Sequence, residues 1–185
     1  PAIGGVGLLK DYKNMVTMDF KKVGNIVFVI GKTEGHLDQS IFAKDILNEK
    51  KGPPPSINLF NEKNIGETLL KLIEKKLIHS CHDVSLGGIL TAVSKMCIMG
   101  NKGLKINNFK ELTNKFEYFF GEDQGRYIIE IDKSNLSQVT KLLGEDKIYF
   151  ENIGKIQNKY FEIEDEFNIN INDLFKINNT WYNNY

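Results

Sequence analysis

Hydrophobic and polar positions alternate along this chain in runs short enough to assign element by element. Asn25–Ile30 reads NIVFVI between Gly24 and Gly31, a compact apolar run that predicts a strand buried on both faces. Arg126–Asp132 (RYIIEID), following the loop FFGEDQG, predicts a second strand, and Gly103–Ile106 a third. Ile65, Leu69, Leu72, Ile73 and Leu77 recur at helical spacing behind Asn61, which can cap that helix. Ile89, Leu90, Val93, Met96 and Cys97 repeat the pattern between Gly87 and Gly100. A further helix fits Gln39–Asn48, with Ile41, Phe42 and Ile46 on its apolar face. KKGPPPS at 50–56 must end it, because proline lacks the amide donor and clashes with the preceding turn. Ser134 can cap a helix running through Leu142. YFENIGKI and KYFEIE predict an antiparallel pair turning near Gln157 and Asn158. Weaker patterns suggest strands at Ile3–Leu9 and Val16–Phe20, a short strand within Leu77–His82, and a helix over 172–182. Strands and helices follow each other without a clean βαβ period, so the expected class is α+β, a mixed β-sheet packed with helices.

Length and charge narrow the function classes. The 185 residues suffice for one domain with its own core, or one domain plus part of a neighbour. Apolar residues make up 41% and charged residues 26%, with a formal net charge of 0 and a pI near 7.3. That balance provides no long-range attraction to nucleic acid or an anionic membrane, so neither is expected as a partner. No stretch approaches the roughly 20 apolar residues of a membrane-spanning helix. Cys81 and Cys97 do not make a disulfide framework, and a reducing cytoplasm is the plainer location. Pro1 and the strand-like PAIGGVGLL suggest a chain cut from something longer. On that expectation residues 1–20 end a preceding domain and 21–185 form the α/β domain.

Candidate chemistry concentrates in three polar loops. HSCHDVSLGG, from His79 to Gly88, holds acceptable zinc ligands, but neighbours in sequence do not converge on one ion and no CxxC or HExxH pattern is present. No metal ligand is therefore assigned, and Cys97 reads as an inert core thiol. A Cys81–His82 nucleophile pair lacks a spatial warrant, and Ser85 lacks the GxSxG elbow. Ser85, Gly87 and Gly88 instead lead into a helix whose exposed amides can receive a phosphate or carboxylate. Asp83 can orient His82, accept a substrate hydroxyl, or simply brace the turn. Gln39 and Ser40 precede another helix and can hold an anion or serve as an ordinary cap. In GEDQGR, Glu122 and Asp123 can bind magnesium or accept from hydroxyls. Arg126 can clamp a phosphate or hold Glu122 in a structural ion pair.

Taken together, PAIGGVGLL, GHLDQS, HDVSLGGILTAVSKM and FFGEDQGRYIIEI resemble, in the same order, the C-terminal region of the phosphoribosylformylglycinamidine synthases. This is the PurL synthetase family of the AIR synthase-related, PurM-like group. The resemblance covers nearly the whole chain and weakens over its last 40 or so residues. It implies a fold like the PurM C-terminal domain. It also implies a part in ATP-dependent conversion of formylglycinamide ribonucleotide, with glutamine-derived ammonia, to formylglycinamidine ribonucleotide in purine biosynthesis. ATP and Mg2+ are the implied cofactors, bound mainly upstream of Pro1, where the family's catalytic histidine also belongs. The implied partners are the upstream domains, the glutaminase subunit PurQ and the small subunit PurS. No catalytic residue is assigned here. Carried over by motif, the substrate- or nucleotide-binding candidates are Gln39, Ser40, His82, Asp83, Ser85, Gly87, Gly88, Glu122, Gln124 and Arg126.

Two positions depart from the family pattern. Leu86 stands at the second acidic position of HDVSDGG, and Asp38 replaces a glycine before Gln39. A carboxylate beside a phosphate would oppose binding, and Leu86 removes a polar contact. Both changes suit a non-catalytic nucleotide-binding or scaffold domain as the alternative reading, and both are compatible with an enzyme whose essential groups lie elsewhere.

Overall fold

The computed structural model describes residues 4–9, 11–109 and 114–183. One mixed sheet of seven strands runs through it, in the order β2-β4-β1-β5-β3-β6-β7. The strands are β1 (Ile26–Ile30), β2 (Ser80–Asp83), β3 (Gly103–Ile106), β4 (Tyr127–Ile131), β5 (Phe150–Gln157), β6 (Tyr160–Ile163) and β7 (Phe167–Asn170). The helices are α1 (Ile41–Asp45), α2 (Leu59–Glu74), α3 (Gly88–Gly100), α4 (Lys115–Phe120), α5 (Leu136–Glu145) and α6 (Ile171–Asn183). The α+β class read from the sequence is the observed one.

β1 is buried along its whole length because helices cover both faces of the sheet. Val27 and Val29 join Ile89, Val93, Met96, Tyr118 and Phe119 from α3 and α4. Ile26, Phe28 and Ile30 point the other way, to Ile65, Leu69 and Leu72 of α2 and Val139 and Leu143 of α5. The alternation is the period of two of a strand feeding two separate cores. Ahead of β1, Phe20 is fully buried in the α3 side, and its amide donates to Met96 O at 3.3 Å.

Glu130 brings polar order to this apolar centre. Its buried carboxylate accepts from the Lys21 and Lys22 amides, Asn25 Nδ2 and Ser80 Oγ, at 2.7–3.0 Å. Four donors replace the water that a buried carboxylate gives up. They tie β4 to β2 and to the turn before β1.

Several expectations need correction. YFENIGKI and KYFEIE do not pair with each other: β3 lies between them, antiparallel to β5 and parallel to β6. Close backbone contact decides this, since a Cβ on Gly103 would lie 1.9 Å from Tyr160 O and one on Gly154 1.9 Å from Lys105 O. Ile3 lies outside the described residues, and Gly4–Leu9 is exposed without regular structure, with no strand partner among the described residues. Val16–Phe20 forms no strand; Thr17 makes only an isolated parallel bridge to Ser80. α2 starts earlier than expected, with Asn58 as its cap and the Asn61 amide as the donor to it at 3.0 Å. Asp132 caps the 3-10 turn before α5, with the Ser134 amide as donor, so Ser134 is not the cap. α1 is shorter than the 39–48 span, because Asn48 turns into the left-handed region at φ 57°. α4 and β7 were not expected, although Asn114 and Glu117 form a reciprocal cap that marks the start of α4.

Candidate functional site

The three polar loops meet at one end of the sheet. Gly121–Arg126 leads from α4 into β4 and makes the central contacts. One oxygen of Glu122, Oε1, accepts from the Gly87 amide at 2.8 Å and from the Ile41 amide at 2.9 Å. A single carboxylate thus satisfies the start of α3 and the first residue of α1. Asp123, nearly buried, accepts from three consecutive amides of the neighbouring loop. Oδ2 takes those of Glu34 and Gly35, and Oδ1 that of His36, at 3.0–3.1 Å. Three backbone donors converging on one anion make a nest filled from within the chain.

Arg126 lies beneath this loop with its side chain fully buried. It donates from Nε to Asp123 O, from one terminal nitrogen to Thr33 Oγ1 and from the other to Gly121 O at 2.6 Å. Its ion-pair partner is Asp123, at 3.5 Å, and not Glu122. Burial pulls its pKa below the usual guanidinium value, and the Asp123 carboxylate opposes that shift. Gln124 alone of the GEDQGR polar group is exposed.

HDVSLGG makes β2 and the turn into α3. His82 Nδ1 lies 3.2 Å from Asp83 Oδ1, while Nε2 is buried with no hydrogen-bond partner among the described residues. Burial lowers the His82 pKa from 6.5, with Asp83 pulling the other way and Lys95 adding to the fall. Cys81 is pushed up to about 12 by burial, which leaves it a thiol and not a nucleophilic thiolate at neutral pH. Burial raises the Cys97 thiol further still. Ser85 and Leu86 are exposed, and Ser85 O accepts from the Gly88 amide at 3.0 Å. Gly88 is needed for packing: at φ 68°, a Cβ there would lie 2.6 Å from Phe119 O. Ser40 is buried and caps α1 through the Ala43 amide at 3.1 Å.

Beside this junction opens a cleft of about 720 Å³, within the size range of small-ligand sites. It is lined by Lys32, Glu34–Asp38, Pro55, Ser56, Asn58, Asn61, Glu62, Glu117 and Asp123–Gly125. Of the ten residues carried over by motif only Gln124 lines it, beside Asp123 of the same loop. Gln39, Ser40, Glu122 and Arg126 lie in the loops and helix start around it, and His82, Asp83, Ser85, Gly87 and Gly88 in the β2–α3 turn that Glu122 ties to those loops. The candidate list missed Lys32, Glu34, Asn58, Glu62 and Glu117, which reach the cleft from three separate parts of the chain. Only the NKFE cap at 114–117 gave a local hint.

Carboxylates outnumber cations in the lining, which favours hydroxyl, amide or cationic groups over a bare phosphate. Among the described residues no three His, Cys, Asp or Glu are grouped to hold a metal ion. No set of side chains among the described residues is arranged as a magnesium centre. No helix among the described residues is long and apolar enough to cross a membrane.

Known proteins share both the sequence and the fold. The chain is 62% identical over all 185 residues to the phosphoribosylformylglycinamidine synthase subunit PurL of Pelagibacter ubique, covering 25% of that protein. It spans about a quarter of the length of the curated relatives it matches. Thermotoga maritima PurL complexed with FGAR superposes with a TM-score of 0.73 at 17% identity, over 88% of this chain and 30% of that one. The structure of PurLQS from the same organism gives 0.67 at 17% identity, over 88% and 28%. At such identities the superpositions speak for the fold alone. Residues 22–165 match the family described as AIR synthase related protein, C-terminal domain, and the chain belongs to that family.

Proposed function

We propose that this chain is the C-terminal domain of a PurL-type phosphoribosylformylglycinamidine synthase. The enzyme would convert formylglycinamide ribonucleotide, ATP and glutamine-derived ammonia to formylglycinamidine ribonucleotide, ADP and phosphate. One observation carries the reading: 62% identity sustained over the full 185 residues to a quarter of a PurL subunit. ATP and Mg2+ would be held mainly by other parts of the enzyme. PurL, PurQ and PurS counterparts would be its partners, as the PurLQS relative suggests, and the cytoplasm its location. Residues 1–20 would end the preceding domain, with Thr17 and Phe20 already resting on this one.

Within the enzyme this domain would contribute a wall of the ligand-bearing region. Gln124 is the candidate best placed to meet a ligand, since it is exposed in the cleft. Gln39, Ser40, His82, Asp83, Ser85, Gly87 and Gly88 would shape and support that wall. A scaffold role is specifically favoured for Glu122, Asp123 and Arg126, whose hydrogen bonds go to this chain's own groups, mostly backbone.

The test is to express the protein as its gene encodes it and supply ATP, Mg2+, formylglycinamide ribonucleotide and ammonia. Formylglycinamidine ribonucleotide should form, and the 185 residues alone should form none. No product from the encoded protein, under conditions where a PurL relative turns over, would overturn the assignment.

A further inference from the structure

One wall of the cleft is tied down in an unusual way. From Lys44 to Asn61 every residue is exposed except the half-buried Pro55. Ile46, Leu47, Ile57, Leu59 and Phe60 are all open to solvent, so this stretch buries almost no apolar surface. Among the described residues, no backbone–backbone hydrogen bond joins positions 50–57 to the rest of the chain. Segments with so few ties open at low free energy while the core remains folded.

What holds the stretch is a small polar latch. His36 Nε2 lies 3.0 Å from Pro53 O, and Gln39 Nε2 donates to Gly52 O at 3.0 Å. Gly52, at φ 91°, rests on Asp38 so closely that a Cβ would lie 2.2 Å from the carboxyl carbon. Gln39 is itself in the left-handed region, at φ 61°, an uncommon state for a residue other than glycine. The strained residue is thus one of the two that reach across to the strap. Asn48, at φ 57°, turns the chain at one end, and the extended Asn58 starts α2 at the other. Between them Pro53, Pro54 and Pro55 make a stiff piece, because each ring fixes its own φ. Pro55 and Ser56 line the cleft together with Glu34–Asp38.

We propose that Lys50–Ile57 is a lid on the cleft, hinged at Asn48–Glu49 and Asn58 and latched shut by His36 and Gln39. Opening breaks two side-chain hydrogen bonds and swings a rigid proline segment off the 34–38 loop. The sheet and both of its cores stay intact, because no residue of the lid belongs to either. Asp38 has a role here that needs no ligand: it is the seat on which Gly52 rests.

Lys50 and Lys51 put a trypsin site inside the lid, which makes the opening measurable. The gene-encoded protein, wild type and as the His36→Ala/Gln39→Ala double variant, is treated briefly with trypsin and the fragments are weighed. When opening is fast relative to cutting, cleavage tracks the open population, so the double variant should be cut after Lys50 or Lys51 about tenfold faster. Cleavage after Lys133 and Lys141, beside and within α5, should not change. Equal rates at Lys50 and Lys51 in the two proteins would overturn the latch. A parallel rise at Lys133 and Lys141 would overturn it too, by showing global loosening. If the double variant fails to fold, the wild type still decides. Cleavage at Lys51 should be nearly independent of urea below the unfolding transition, and a dependence as steep as global unfolding would overturn a separately opening lid.

Discussion

Glu122 Oε1 accepts the Gly87 amide proton at 2.8 Å, so a carboxylate from this same chain lies at the start of α3. The helix start that looked open to a ligand anion has an anion already. The same oxygen receives the Ile41 amide, and removal of the side chain would leave two helix-start donors without their acceptor. Glu122→Ala should therefore cost about 1–3 kcal/mol, the usual range for stranded polar groups. Glu122→Gln keeps an acceptor oxygen and should cost less than about half of that. Urea unfolding of the pair tests this; equal losses would show that charge, and not the shared hydrogen bond, matters.

Arg126 should be a stability residue. Arg126→Met removes the donors to Gly121 O and Thr33 and leaves Asp123 without its buried counter-charge. Breaking one side of such a buried pair costs about 3–5 kcal/mol. Denaturation midpoints should fall accordingly, and Arg126→Lys should recover only part of the loss because a point charge cannot reach three separate acceptors.

Gly88 tolerates no side chain. Its positive φ and the approach of Phe119 O to 2.6 Å of any Cβ mean that Gly88→Ala must push α3 away from the end of α4. A loss of about 2 kcal/mol or more is expected, combining backbone strain and overpacking. Gly144→Ala is the control, since nothing lies within 4 Å of its Cβ position. Thermal unfolding of the two variants should separate them clearly.

His82 gives the fold a pH dependence. Burial holds its folded pKa below 6.5, so between that folded value and 6.5 the unfolded chain binds more protons. The stability from the neutral ring is fully present above 6.5 and is lost as pH falls through the folded pKa. Urea midpoints measured from pH 8 to pH 5 should decline for the wild type. His82→Gln, which has no proton to take up, should flatten that part of the curve. An unchanged slope would show that other groups govern it.

Much of this was legible because it is local. The apolar run at 26–30, the helical stripes of α2 and α3 and the YIIEI strand each carry their period within a few residues, and each element exists, although α2 begins at Leu59 and ends at Glu74, before Leu77. The ordered motifs likewise marked the family, since they are strings of adjacent residues. Partners at long range were not legible. GEDQGR shows two acids and a base, but not that Asp123 reaches the amides of residues 34–36 while Glu122 reaches Ile41 and Gly87.

By itself, then, the chain's residue order determined its α+β class, its main elements and the loops where polar chemistry collects. Only the tertiary structure decided that β3 enters between β5 and β6, that Arg126 faces inward and that residues as far apart as Lys32, Glu62, Glu117 and Gln124 line one cleft. The physical reason is range. Periodicity and capping act over one turn or one strand, whereas burial and the satisfaction of a charge depend on which distant backbone the fold brings alongside it.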